Sequence, residues 1–146
     1  MAEASLPPQA AQRTLALYAA VAAGSALGSV ARWIVSVLLE GAAAGLPWST
    51  LFVNATGSFA IGCYASRLAL RDPAPIDPVQ RAFVAVGLCG GYTTFSIFSF
   101  ETLALLQGGR TAAAAANVAL SLTVWLLAVQ AGYLLGQRRH RRHGPR

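Results

Sequence analysis

Residues Cys89 to Phe100 read CGGYTTFSIFSF, in the middle of a run with no charged residue between Arg81 and Glu101. Each glycine costs a helix about 1 kcal/mol relative to alanine. The two threonines that follow restrict χ1 and carry hydroxyls that compete for backbone partners. Gly90-Gly91-Tyr92-Thr93-Thr94 is therefore where an otherwise membrane-grade helix is expected to unwind. Backbone groups freed in lipid are prohibitive unless they are buried in protein or line a polar path. Two readings stand level on this stretch alone. One is an ion site made of exposed carbonyls and half-helix ends. The other is a glycine contact for tight packing, with the threonines bonded back to their own helix.

The rest of the chain sets the solvent. Of 146 residues, 55% are hydrophobic and 11% charged, with mean hydropathy +0.54; a soluble domain carries roughly a quarter charged residues. Charge is also missing from Arg13 to Arg32, Glu40 to Arg67 and Arg110 to Arg138. Each window approaches or exceeds the roughly 20 residues needed to span hydrocarbon. The expected fold is an all-α integral membrane protein with four transmembrane helices, at about 14–39, 48–70, 79–106 and 111–137, the third broken mid-membrane. A signal peptide does not fit. The stretch from Leu15 to Leu39 is interrupted only by Arg32, is too long, and has three successors.

The expected organisation is a flexible arm (1–13), a membrane domain (14–137) and a basic tail (138–146). Pro78 suits a helix start, and Gly24 and Gly28 give the first helix a small-residue face for close contact. Net charge is +6, with no lysine among the basic residues, and five of eleven arginines lie in the tail. That tail reads as a solvated segment meeting anionic lipid headgroups rather than nucleic acid. Arg13, Arg67, Arg71, Arg81 and the tail share one side of the expected topology, which the positive-inside rule assigns to the cytoplasm, both termini included. His140 and His143 lie in the tail, and Cys63 and Cys89 lack metal-ligand spacing.

Polar residues within the spans form stripes. Thr50, Asn54 and Ser58 recur every four residues, as do Asn117 and Ser121, and Asn54 needs partners for two N–H donors. Interhelical hydrogen bonding is the default for such an asparagine. Phe95 and Phe98 share one helix face, Ser96 and Ser99 a neighbouring one. The electropositive ring edges of phenylalanine suit an anion path. Glu101 is costly inside a span and is expected to face protein or water.

GSALGSVARW, STLFVNATGSF and GLCGGYTTFSIF, in this order, resemble the motifs of the Fluc-type (CrcB-type) fluoride channel family, and the similarity extends from about Ala16 to Gly136. The resemblance implies a four-helix subunit in an antiparallel, dual-topology-type dimer in the plasma (bacterial inner) membrane, with fluoride paths along the subunit interface. It assigns Asn54, Phe95 and Phe98 to the path, with Thr50, Ser96, Glu101 and Ser121 as polar path residues. It also gives main-chain carbonyls of Gly90 and Thr93 to a structural sodium at the dimer centre, and matches Arg32 to a first-helix arginine. Ile97 stands where the family usually has a small hydroxylated residue, and Trp125, one turn beyond Ser121, where a small one is expected. The resemblance implies pairing with itself or with a paralogous subunit of opposite orientation, and the strong charge bias, implying one fixed orientation, points to the paralogue. No nucleophile, acid–base pair or nucleotide motif appears, so a passive channel is expected rather than an enzyme. A small multidrug-type cation exporter would need an acid deep in its cavity, and the first span has none. A non-transporting membrane adaptor would explain the tail but not the broken helix.

Overall fold

The computed structural model describes residues 8–39, 45–69 and 76–143; residues 1–7 of the expected arm, 40–44, 70–75 and 144–146 lie outside them. Regular structure among the described residues is entirely helical: α1 (Pro8–Leu38), α2 (Trp48–Ala69), α3 (residues 78–92), α4 (Ser96–Gln107) and α5 (Thr111–His143). α1 begins at Pro8 rather than Thr14. Proline is preorganised for a first helical position, and the following Gln-Ala-Ala-Gln-Arg are strong helix formers. α5 likewise runs through the expected tail to His143, with no Gly or Pro after Gly136 until Gly144. α3 starts as expected at Pro78, behind an Asp77 cap whose carboxylate accepts from the Val79 N–H.

Burial is inverted relative to a water-soluble protein. Thr50, Asn54, Ser66, Thr94, Asn117 and Ser121 are buried, whereas Leu15, Trp33 and Leu126 are more than 60% exposed (69%, 66% and 68%). Polar groups inside and large apolar ones outside suit a chain whose solvent is lipid. Among the described residues, three segments are long and apolar enough to cross a membrane, Gln9–Leu38, Pro78–Gln107 and Thr111–Arg138. α2, the expected fourth, has 22 residues and sufficient length but is not apolar enough by composition. Its polar residues explain this: Thr50, Asn54 and Ser66 are turned inward, so α2 depends on its neighbours rather than on lipid.

Glycines set those neighbours. Gly24 lies against Phe83, Gly87 and Leu88, and Gly28 against Leu88, Gly91 and Tyr92; a Cβ on Gly87 would sit 2.9 Å from Gly24 Cα. Residue numbers rise together across this seam, so α1 and α3 run parallel. Ser25 and Ser29 hydroxyls reach the Gly87 and Gly91 carbonyls at 3.5 and 3.4 Å. α2 and α5 form a second parallel pair: Gly62 meets Val129 and Tyr133, Gly132 meets Phe59 and Cys63, and Gly136 meets Ser66. Small residues allow backbones to approach closely where no hydrophobic force drives association. Within α3, Ala82–Leu88 is wound as a π-helix, with backbone bonds one residue longer than α. These pairings gather Arg13, Arg67, Arg81 and Arg138 at one end and leave Arg110 at the other.

Candidate functional site

Helical structure stops at Tyr92 and resumes at Ser96, with Thr93 extended (φ −80°, ψ 159°). Asn54 clamps this interruption. Its Nδ2 donates to the Thr94 carbonyl and its Oδ1 accepts the Thr94 N–H, both at 2.7 Å. The Thr94 N–H would otherwise close the helical bond to the Gly90 carbonyl. Similarly, the Ile97 N–H, which would reach the Thr93 carbonyl in a continuous helix, goes to Thr94 Oγ1 at 3.2 Å. The Gly90 and Thr93 carbonyls are thus among those that lose their helical donors at the break. A second tie holds the end of α3: Tyr92 Oη and Thr56 Oγ1 are 2.9 Å apart. Thr56 gives its one proton to α2 carbonyls, Phe52 at 2.8 Å and Val53 at 3.1 Å, so Tyr92 is the donor across the helices.

Beside the interruption lies an open groove of about 320 Å³, lined by Asn54, Ser58, Cys89, Gly90, Thr93, Thr94, Phe95 and Trp125 among others. Phe95 stands at its edge, 68% exposed, whereas Phe98 is buried at 6%. Their ring centroids are 5.5 Å apart, tilted by 51°. Trp125 does not stand apart from this pair. Its ring meets Phe98 edge-to-face at 5.0 Å, and its indole Nε1–H donates to the Leu51 carbonyl at 3.3 Å. Ser96 is exposed, its hydroxyl 3.3 Å from Thr94 Oγ1.

Thr50 and Glu101 form a separate station, with Thr50 Oγ1 donating to Glu101 Oε1 at 2.8 Å. Glu101 also lines a second cavity, of about 370 Å³, with Gly45, Leu46, Pro47, Ala104, Leu105 and Arg110. Its Oε2 is buried without a partner among the described residues. Arg110 faces the same cavity but donates to the Gly45 carbonyl at 2.8 Å. A hydrogen bond to a charged group is worth roughly 1.5–3 kcal/mol. Thr50→Val is therefore expected to lower the thermal midpoint in detergent, whereas Thr50→Ser, which keeps the donor, retains most of it.

Ser121 is buried on α5, its hydroxyl 3.5 Å from Asn117 Oδ1, and Asn117 Nδ2 donates to Thr102 Oγ1 at 2.9 Å. Asn54, Gly90, Thr93 and Phe95 thus share one groove, with Phe98 behind it. Thr50 and Glu101 form their own pair, Ser121 is linked through Asn117 to Thr102 of α4, and half-buried Arg32 lines neither cavity. Thr94 and Thr102 are the polar partners that the sequence reading missed. An unpartnered buried carboxamide signals that some partner exists, but spacing within one helix does not name it.

Residues 19–133 match the family described as CrcB-like protein, Camphor Resistance (CrcB). The chain is 48% identical over 130 residues to the fluoride-specific ion channel FluC 1 of Rhodopseudomonas palustris (strain BisB18), covering 88% of this chain and 92% of that one. It is 44% identical over 129 residues to the FluC 1 of Bradyrhizobium diazoefficiens, covering 88% and 90% of the two chains. With a fluoride-specific ion channel FluC of Thermus thermophilus the identity is 49% over 120 residues, covering 82% and 94%. A multi-pass helical chain with these motifs, matched over most of its length, belongs to the CrcB family.

Proposed function

We propose that this chain is a subunit of a fluoride-selective channel through which cytoplasmic fluoride leaves the cell passively, reducing its toxicity. The observation that carries the reading is the groove at the interrupted helix, lined by both Asn54 and Phe95. Fluoride is small and strongly hydrated, so a pore must replace its water with donors without holding it too tightly to leave. Asn54 Nδ2 spends one N–H on Thr94 and has a second. Hydroxyls and aromatic edges supply weak, replaceable contacts. Thr50, Ser96, Glu101 and Ser121 extend this polar lining in the proposed path.

The functional unit is an antiparallel dimer with the interrupted helices at its centre. Two observations support it: nothing lies within 4 Å of where a Gly90 Cβ would be, and Phe95 is largely uncovered within the subunit. The freed Gly90 and Thr93 carbonyls fit a hard cation, which takes oxygen ligands, and they would hold the structural sodium. Bound there, it would neutralise the carbonyl dipoles and add a positive field for an anion. The arginine-rich end is assigned to the cytoplasm, with the basic tail against anionic lipid. Arg32 is assigned a structural role at the end of the α1–α3 seam. The dimer forms with a second copy or, as this fixed orientation favours, with a paralogous subunit inserted the other way.

Fluoride efflux from liposomes, read with a fluoride-selective electrode, tests the proposal. Efflux without matching chloride loss is expected from the chain, alone or with its paralogue. Phe95→Ile and Phe98→Ile are each expected to slow it at least tenfold. A folded channel that releases both anions equally, or is indifferent to both phenylalanines, would sink the reading.

A further inference from the structure

Trp125 is the aromatic residue that the fluoride-path assignment leaves without a role. It reaches the groove from α5, one turn beyond buried Ser121. It is tied at two points. The indole N–H is given to the Leu51 carbonyl on α2, and the ring meets Phe98 of α4 at 72°, centroids 5.0 Å apart. Phe98 in turn meets Phe95, the ring exposed at the groove edge. α2 is thereby linked to the phenylalanine pair by one side chain.

An unbranched ring at the start of a short helix has freedom about χ2 that burial alone does not remove, since the torsion is broad and two-fold. An edge-to-face partner in fixed position favours one ring orientation by roughly a factor of five. The Leu51 bond keeps the indole itself from turning.

We propose that Trp125 is a positioning residue: tethered to the α2 backbone at Leu51, it holds the Phe98 ring, and through it the Phe95–Phe98 pair, in the orientation presented to the groove. This rests on reading the groove as the fluoride path, and the test separates the two. Trp125→Leu removes the aromatic partner, while Trp125→Phe keeps a smaller aromatic ring and loses the tether. 3-Fluorophenylalanine placed at position 98, whose fluorine lies off the χ2 axis, reports ring order by ¹⁹F NMR in the assembled protein, whether or not it conducts.

One narrow resonance is expected in the parent, broadened or split lines in Trp125→Leu, and an intermediate spectrum in Trp125→Phe, whose ring edge is no longer tethered. Fluoride efflux should fall about fivefold in Trp125→Leu and about twofold in Trp125→Phe. An equally narrow Phe98 line in Trp125→Leu would overturn the positioning role. So would a mobile ring with undiminished efflux. A parent that passes no fluoride yet shows the expected spectra would support the positioning role and count against the transport reading alone.

Discussion

Asn54→Asp is expected to reduce fluoride efflux by about a hundredfold or more. The substitution keeps the shape and replaces the donor. Asn54 Nδ2 gives a proton to the Thr94 carbonyl at 2.7 Å; an aspartate oxygen there would face that carbonyl as a second acceptor. Leaving a buried group unsatisfied costs roughly 1–3 kcal/mol, and more when it is charged. The new negative charge also repels the anion the groove is proposed to carry. Two losses therefore act together, one on the interrupted backbone and one on the ion. Asn54→Ser separates them: it removes most of the clamp without adding charge and should leave measurable flux. Equal flux from parent and Asn54→Asp at neutral pH would show that the groove is not the path.

Gly91→Leu should yield little or no folded protein, while Gly90→Ala should fold and fail to assemble. The two glycines are adjacent but face different surroundings. A Cβ on Gly91 would lie within 2.7 Å of Ser25 Cα and closer still to the Ser25 carbonyl oxygen. Both are backbone atoms, so α1 and α3 would have to separate. Overpacking commonly costs 1–3 kcal/mol, and a leucine on a backbone seam exceeds the usual case. Gly90 has open space, and alanine there favours helix by about 1 kcal/mol. If that open face is where a partner's interrupted helix crosses, Gly90→Ala monomers should be well folded in detergent and shift from dimer to monomer by light scattering. A fully dimeric Gly90→Ala channel with normal flux would remove the dimer centre from this face.

Much of this architecture was legible in the sequence because lipid simplifies the problem. Windows without charge marked α1, α2, α5 and the segment holding α3 and α4, and the Gly90–Gly91 pair with two threonines marked where helical structure stops. Hydropathy alone would have served less well for α2. Its buried Thr50, Asn54 and Ser66 make it too polar to be recognised by hydropathy, though it packs against α5 through Gly62, Gly132 and Gly136. The boundary at Thr14 was set by where charge ends, but charge does not stop a helix, and α1 begins at Pro8. The partners of Asn54, Glu101 and Trp125 were not legible. Each is a contact between helices far apart in sequence, fixed by the rotation of one helix against another, and no periodicity within a single helix carries that rotation.

The π-wound stretch Ala82–Leu88 has a consequence for how the chain tolerates changes in length. An α-helix that gains or loses one residue turns everything beyond it by about 100°. For α3 such a turn would swing Gly87 and Gly91 off the α1 backbone and carry the Asn54 clamp out of reach of Thr94. A stretch that already holds a surplus residue can absorb a deletion by relaxing to ordinary α-helix. The glycine seam pins Gly87 and Gly91 on α1, so any remaining adjustment falls on the Pro78–Arg81 end. The surplus residue acts as slack between the start of α3 and the fixed geometry at the interruption.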